Sequence, residues 1–229
     1  MKTQSERWFE DYCSAHAVAC ERIAEEDGRT PDYELTMDGQ RLVVEVKEIS
    51  LNKEERESAR LVSERGYGIV LSPTPGNRVR KKIGDSSAQI KARTCGVYPS
   101  MLVLCELKGG CGQVGGHLDS YNIRVAMYGL EQVHVVVPSD RDQTAYAAGM
   151  SYGPKRKMTE EDNTSISAIG VLSTPKASEI VLHVYHNKHA TVPLDSRLLA
   201  SRGIAQFRLE DDVPLNTAKW EELVVQTQP

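Results

Sequence analysis

Residues 31–47 read Pro-Asp-Tyr-Glu-Leu-Thr-Met-Asp-Gly-Gln-Arg-Leu-Val-Val-Glu-Val-Lys, and three of them, Asp32, Glu45 and Lys47, have types and spacing that could do chemistry. Two alternating runs flank Asp38-Gly39, a dipeptide that tolerates positive φ at both positions and so predicts a two-residue β-hairpin loop. Positions equidistant from that loop pair, which sets Asp32 across from Glu45. Side chains so opposed lie about 4.5–5.5 Å apart at Cβ, and like charges there are destabilising unless something compensates them. A divalent cation is one compensation. The two-residue period puts Glu45 and Lys47 on one face and Leu42, Val44 and Val46 on the other. Two hard oxygen ligands suit Mg²⁺, which keeps several waters and binds substrate phosphate. The Lys47 ammonium could then orient an attacking water or stabilise charge on a phosphate. A hairpin with one solvated face would carry the same residue types.

Pro31-Asp32 followed by Glu45-Val46-Lys47, with a helix before and a helix after, resembles the PD-(D/E)xK nuclease superfamily, in flavour its bacterial and phage members. The resemblance implies an α/β protein with a restriction-endonuclease-like mixed β-sheet flanked by helices. It also implies metal-dependent phosphodiester hydrolysis, with Asp32 and Glu45 as ligands of Mg²⁺ or Mn²⁺ and Lys47 as the catalytic lysine. In such relatives the preceding helix often adds an acidic residue, for which Glu10 is the candidate, although the same helix face also admits Glu21. The helix after the catalytic strand often projects a polar or basic residue to the site; Gln89 and Lys91 both occupy that place. The expected substrate is nucleic acid, DNA before RNA, cut internally before from ends. A homodimer is among the arrangements implied.

The chain has 229 residues, 40% of them hydrophobic, and a formal charge of −4. That is enough for one large core and excludes a uniformly basic nucleic-acid binder, so a polyanion site must come from local clustering. The expected organisation is a single nuclease-like domain over 1–229, with 164–229 as a C-terminal extension of strands and short helices packed on the core. No apolar run reaches the ~20 residues of a membrane span, and no signal-peptide core is visible, so a cytoplasmic protein is expected. The five cysteines form no Cys-x-x-Cys pair. Cys105, Cys111 and His117 are close in sequence but match no zinc pattern.

Helical spacing of Phe9, Cys13, Ala17 and Cys20 predicts a helix over 5–26. Asn52 with Glu55 resembles a capping box, and Gly66 a helix stop. A strand is expected over 67–71 and a helix over 77–93, whose Arg78, Arg80, Lys81, Lys82, Lys91 and Arg93 would meet a phosphate backbone; Arg80 and Lys81 join Gln89 and Lys91 as substrate-binding candidates. Residues 99–106 read as a buried central strand, 108–116 as a glycine-rich loop and 120–128 as a helix capped by Asp119. A further buried strand is expected over 132–137, with His134 packed in the core, then loop over 139–163 and strands over 165–172 and 179–186. His183 and His186 fall on opposite strand faces, which spoils a metal triad with His189. Two other functions fit less of this pattern: a catalytically inactive nuclease-fold module that binds nucleic acid or protein, and a zinc protein using the cysteines and histidines.

Overall fold

Thr3 opens the first helix, α1 (Gln4–Ala15), through a reciprocal capping box with Glu6. The structure, a computed structural model, describes residues 2–24, 30–66, 74–106, 117–140, 142–176, 179–209 and 219–224. Helix α1 ends earlier than its apolar spacing predicts. Ala17 turns the chain with φ 51°, the Val18 N–H donates to the Cys13 carbonyl at 2.9 Å, and Ala19–Arg22 becomes strand β1. Cys20 repeats the stripe of α1 yet serves a strand, because the open edge of the hairpin offers Ala19–Arg22 a full ladder of backbone partners.

The hairpin forms as its turn chemistry requires. Strand β2 (Tyr33–Met37) pairs antiparallel with β3 (Gln40–Ile49), Tyr33 against Val44 and Met37 against Gln40, around Asp38 and Gly39 at φ 49° and 76°. Helix α2 (Lys53–Arg65) starts at the Asn52–Glu55 capping box and stops at left-handed Gly66. Helix α3 (Asn77–Thr94) follows, its N-terminus at Gly76. A Cβ on Gly76 would lie 2.8 Å from the Ala126 nitrogen and the Asn122 oxygen, so glycine there permits the close approach of α3 to α4 (Ser120–Tyr128), the helix capped by Asp119.

Strand β4 (Ser100–Glu106) runs parallel to β3 on one side and to β7 (Ala168–Lys176) on the other, which accounts for its continuous apolar sequence. The remaining elements are β5 (Glu131–Val136), β6 (Tyr146–Tyr152), β8 (Glu179–His186), α5 (Ser196–Ala200), β9 (Ala205–Leu209) and β10 (Trp220–Glu222). Among the described residues the main sheet has eight strands in the order β1-β2-β3-β4-β7-β8-β9-β10, of mixed direction, and helices flank it. From residue 164 onward the chain does more than cover a core: β7 lies beside β4, and β7 to β10 are half of the sheet. One apolar cluster (Phe9, Tyr33, Leu42, Val44, Leu198) fills the face beneath α1 and α5; the other (Val79, Ile83, Ile90, Leu102, Ile123) fills the face beneath α3 and α4.

Two expectations fail beside the sheet. Strand β5 is not buried in it but pairs with β6 in a separate ribbon, and Val133, Val135 and His134 are exposed, His134 hydrogen-bonded to Ser151 Oγ at 2.8 Å. An apolar run announces a strand without saying which sheet it joins, and β4 and β7 already fill the central positions. The predicted loop over 139–163 contains β6. The strand expected over 67–71 and the loop over 108–116 lie outside the described residues. No helix among the described residues is long and apolar enough to cross a membrane.

Candidate functional site

The hairpin register brings Asp32 and Glu45 together one step beyond the last pair of β2, Tyr33 with Val44. Backbone contacts fix Asp32: its carbonyl accepts from the Ile23 N–H at 3.0 Å, and its Oδ2 accepts from the Val46 N–H at 2.8 Å. The carboxylate thus takes over a sheet donor of β3 and is held against that strand. Glu45, between β2 and β4, is fully buried. Neither of its oxygens receives a hydrogen bond of ordinary geometry; they face the Lys47 ammonium, in an ion pair, and the Asp32 carboxyl. The Lys47 side chain is 31% exposed and joins this buried pair to solvent.

The electrostatics follow from that placement. Burial first, and the Asp32 charge second, push the Glu45 carboxyl up to about 7, and the Lys47 ammonium only partly offsets them. Asp32 is also raised by burial, opposed by the Val46 N–H and Lys47. One lysine therefore does not neutralise two carboxylates in a desolvated place, and near neutral pH the pair holds a proton that a stronger positive charge would displace.

Of the acidic residues of helix α1, Glu6 is the one whose charge is felt at Asp32. Glu6 is buried, accepts from Arg22 Nη2 at 3.1 Å, and its charge adds to the upward pressure on Asp32. Glu10 accepts from Tyr33 Oη at 2.9 Å and Lys2 Nζ at 2.8 Å; against the upward push of burial, these bonds hold it below its usual value. The sequence pattern does not single out Glu6, whose effect on Asp32 depends on how α1 lies against the hairpin.

Helix α3 turns Val79, Ile83, Ser86 and Ile90 inward, with Gln89 buried beside them. Ser86 Oγ is buried without a hydrogen-bond partner. Lys82 lies within the field of Lys47, and burial together with that charge holds it below the usual lysine value. The other basic residues of α3 divide. Arg80 is buried, its guanidinium donating to the carbonyls of Pro75 (2.6 Å) and Val125 (3.2 Å), so it joins α3 to α4 rather than facing solvent. Arg78 pairs with Glu55 and donates to the Ser50 carbonyl at 2.6 Å; Arg93 donates to Glu34 at 3.3 Å. Lys81 is exposed, and Lys91 lines a cavity of about 380 Å³ with Cys95, Tyr98, Ser165 and Thr191. Asp32, Glu45 and Lys47 are thus brought together, whereas Glu10, Arg80 and Lys91 have other surroundings.

Among the described residues no group of three or more His, Cys, Asp or Glu side chains is placed to hold a metal ion. Asp32 and Glu45 alone offer a two-carboxylate site, which suits a hard divalent cation that keeps its waters and does not suit zinc. The residues expected for zinc are dispersed. Cys105 is buried, its thiol pushed up to about 12 by desolvation; His117 lies 3.3 Å from Glu55; His186 bonds Gln206 at 2.9 Å; Cys111 lies outside the described residues. Comparison with models of protein families, with curated proteins and with solved structures finds no match to this chain.

Proposed function

We propose that this chain is a metal-dependent nuclease of restriction-endonuclease-like fold that hydrolyses phosphodiester bonds, of DNA before RNA. The observation that supports this best is Glu45, a fully buried carboxyl without ordinary hydrogen bonds, beside Asp32 and in an ion pair with Lys47. Asp32 and Glu45 would hold Mg²⁺ or Mn²⁺, which when bound polarises a phosphate oxygen and lowers the pKa of a water. Asp32 is pre-set for this by the Val46 N–H, which fixes its carboxylate without reorganisation. Lys47, the partly exposed member, meets the substrate first: its ammonium orients the attacking water or steadies charge on the phosphate. Lys82, in the field of Lys47, adds positive potential on the same side.

The full burial of Glu45 favours one rival, a nuclease-fold module in which the Glu45–Lys47 pair is structural and the surface only binds. Both are decided by comparing wild type, Asp32→Ala and Lys47→Ala on labelled single- and double-stranded DNA and RNA, with Mg²⁺, Mn²⁺ or chelator. Cleavage by wild type alone, abolished by chelator, supports the nuclease. Equal cleavage by all three refutes this site. Binding unchanged by chelator, with no cleavage, supports the module.

A further inference from the structure

Helix α3 buries a stripe of Val79, Ile83, Ser86 and Ile90, each fully covered and spaced as one helix face requires. Within it the Ser86 hydroxyl has no hydrogen-bond partner, not even the carbonyl one turn back that a helical serine often takes. The apolar members of the stripe share a cluster with Ile49 of β3, and the two-residue period puts Glu45 and Lys47 on that side of the strand; Val44 and Val46 belong to the cluster beneath α1. Hydrogen bonds at both ends of α3 fix where along β3 Ser86 lies. At the start Arg78 donates to the Ser50 carbonyl at 2.6 Å, just past the end of β3; near the other end Arg93 donates at 3.3 Å to Glu34, which pairs with Val43. Arg78 to Arg93 is about 22 Å of helix and Ser50 to Val43 about 23 Å of strand, so the two elements run in step and in opposite directions. Ser86, near the middle of that span, stands over the stretch from Glu45 to Lys47.

We propose that the Ser86 hydroxyl is a third protein oxygen of a cation site shared by the hairpin and α3, an inference that rests on Asp32 and Glu45 holding Mg²⁺ or Mn²⁺. Neither oxygen of Glu45 nor that of Ser86 has a hydrogen-bond partner, so these buried groups on facing elements do not satisfy each other. Packing accounts for neither, since alanine would continue the α3 stripe without stranding a hydroxyl. A hard divalent cation accepts oxygen from carboxylates, hydroxyls and water alike. Waters complete its shell on the open side, where Lys47 reaches solvent, whereas the full burial of Ser86 keeps water from the α3 side and leaves that position to the hydroxyl. A serine oxygen is neutral, so it adds a ligand without adding a third negative charge beside Asp32 and Glu45.

The test is direct metal binding, by titration calorimetry of the chelator-stripped full-length protein with Mn²⁺ and with Cd²⁺. Ser86→Ala should bind Mn²⁺ about tenfold or more weakly than wild type, and Asp32→Ala should not bind it at this site. Ser86→Ala loses no hydrogen bond, so in chelator it should unfold at the same urea concentration as wild type or a higher one. Ser86→Cys puts a soft sulfur in the same place and should shift the preference from Mn²⁺ toward Cd²⁺ by more than about tenfold, a change that a serine with a merely structural role would not produce. Mn²⁺ affinity of Ser86→Ala equal to that of wild type, with Asp32→Ala silent, would overturn this inference alone and leave a two-carboxylate site. An unchanged metal preference in a folded Ser86→Cys would also overturn it. No Mn²⁺ binding by wild type, or equal binding by Asp32→Ala, would overturn the metal-dependent reading and this inference with it. The Ser86→Ala titration decides even if the cysteine variant does not fold.

Discussion

Replacing Glu45 with glutamine should flatten the pH dependence of stability that this residue imposes. In the folded chain its carboxyl titrates at about 7, against an ordinary value of 4.5. At 1.36 kcal/mol per pH unit, the two states differ by about 3 kcal/mol in their preference for the proton. The sign follows from proton counting. Between the two values the folded state holds the proton and the unfolded state does not, so the contribution is fully present below 4.5 and is lost as pH rises through about 7. Asp32, also raised, acts in the same direction. For a chain of this size each kcal/mol moves the unfolding midpoint by roughly 2–4 °C, so about 3 kcal/mol corresponds to roughly 6–12 °C. Thermal unfolding followed by circular dichroism, in chelator from about pH 4 to about pH 8.5, brackets that window. His186, kept neutral by burial, contributes the opposite slope up to its ordinary 6.5, but equally in both proteins. The readout is therefore the wild-type curve minus the Glu45→Gln curve, which should fall across the window. Parallel curves would refute the assignment of Glu45 as a proton-retaining buried acid.

Three further outcomes test other parts of the structure. Adding Mg²⁺ at alkaline pH should raise the wild-type midpoint, by about 2.7 kcal/mol of stability at a hundredfold excess over Kd, and leave Asp32→Ala unmoved; equal shifts would place any cation elsewhere. Arg80→Met should cost about 2–4 kcal/mol in urea unfolding, since two carbonyls lose a charged donor, while cleavage per folded molecule stays at the wild-type level. Gly76→Ala should cost about 2–4 kcal/mol in the same assay, because its Cβ would press on the backbone of α4 at a φ of 69° that favours glycine.

What was legible in the sequence was what local chemistry decides. Asp38-Gly39 fixes the loop, the loop fixes the register, and the register brings Asp32 to Glu45 without knowledge of any other element. Asn52, Glu55 and Gly66 bound α2 by the same kind of local bonding. The failures are contacts that tertiary packing decides. Cys20 continues the stripe of α1, and only the vacant edge of β2 makes it a strand residue. Arg80 is one basic residue among several until α4 presents the Val125 carbonyl to it. Val133 and Val135 have core composition, yet the sheet has no place for their strand.

The same physics bears on why the cluster is informative. A buried pair such as Glu45 and Lys47 is weak support for stability, because apolar residues of similar volume often serve a fold as well or better. Here the pair is made more costly by a second carboxylate, Asp32, set against it by a backbone N–H. Placing Leu102 of β4 on one side of Glu45 and Asp32 on the other removes water without supplying hydrogen bonds to the buried oxygens. Packing alone gives no reason for that arrangement, whereas a divalent cation would supply the missing charge, release the retained proton and free the Lys47 ammonium for a phosphate.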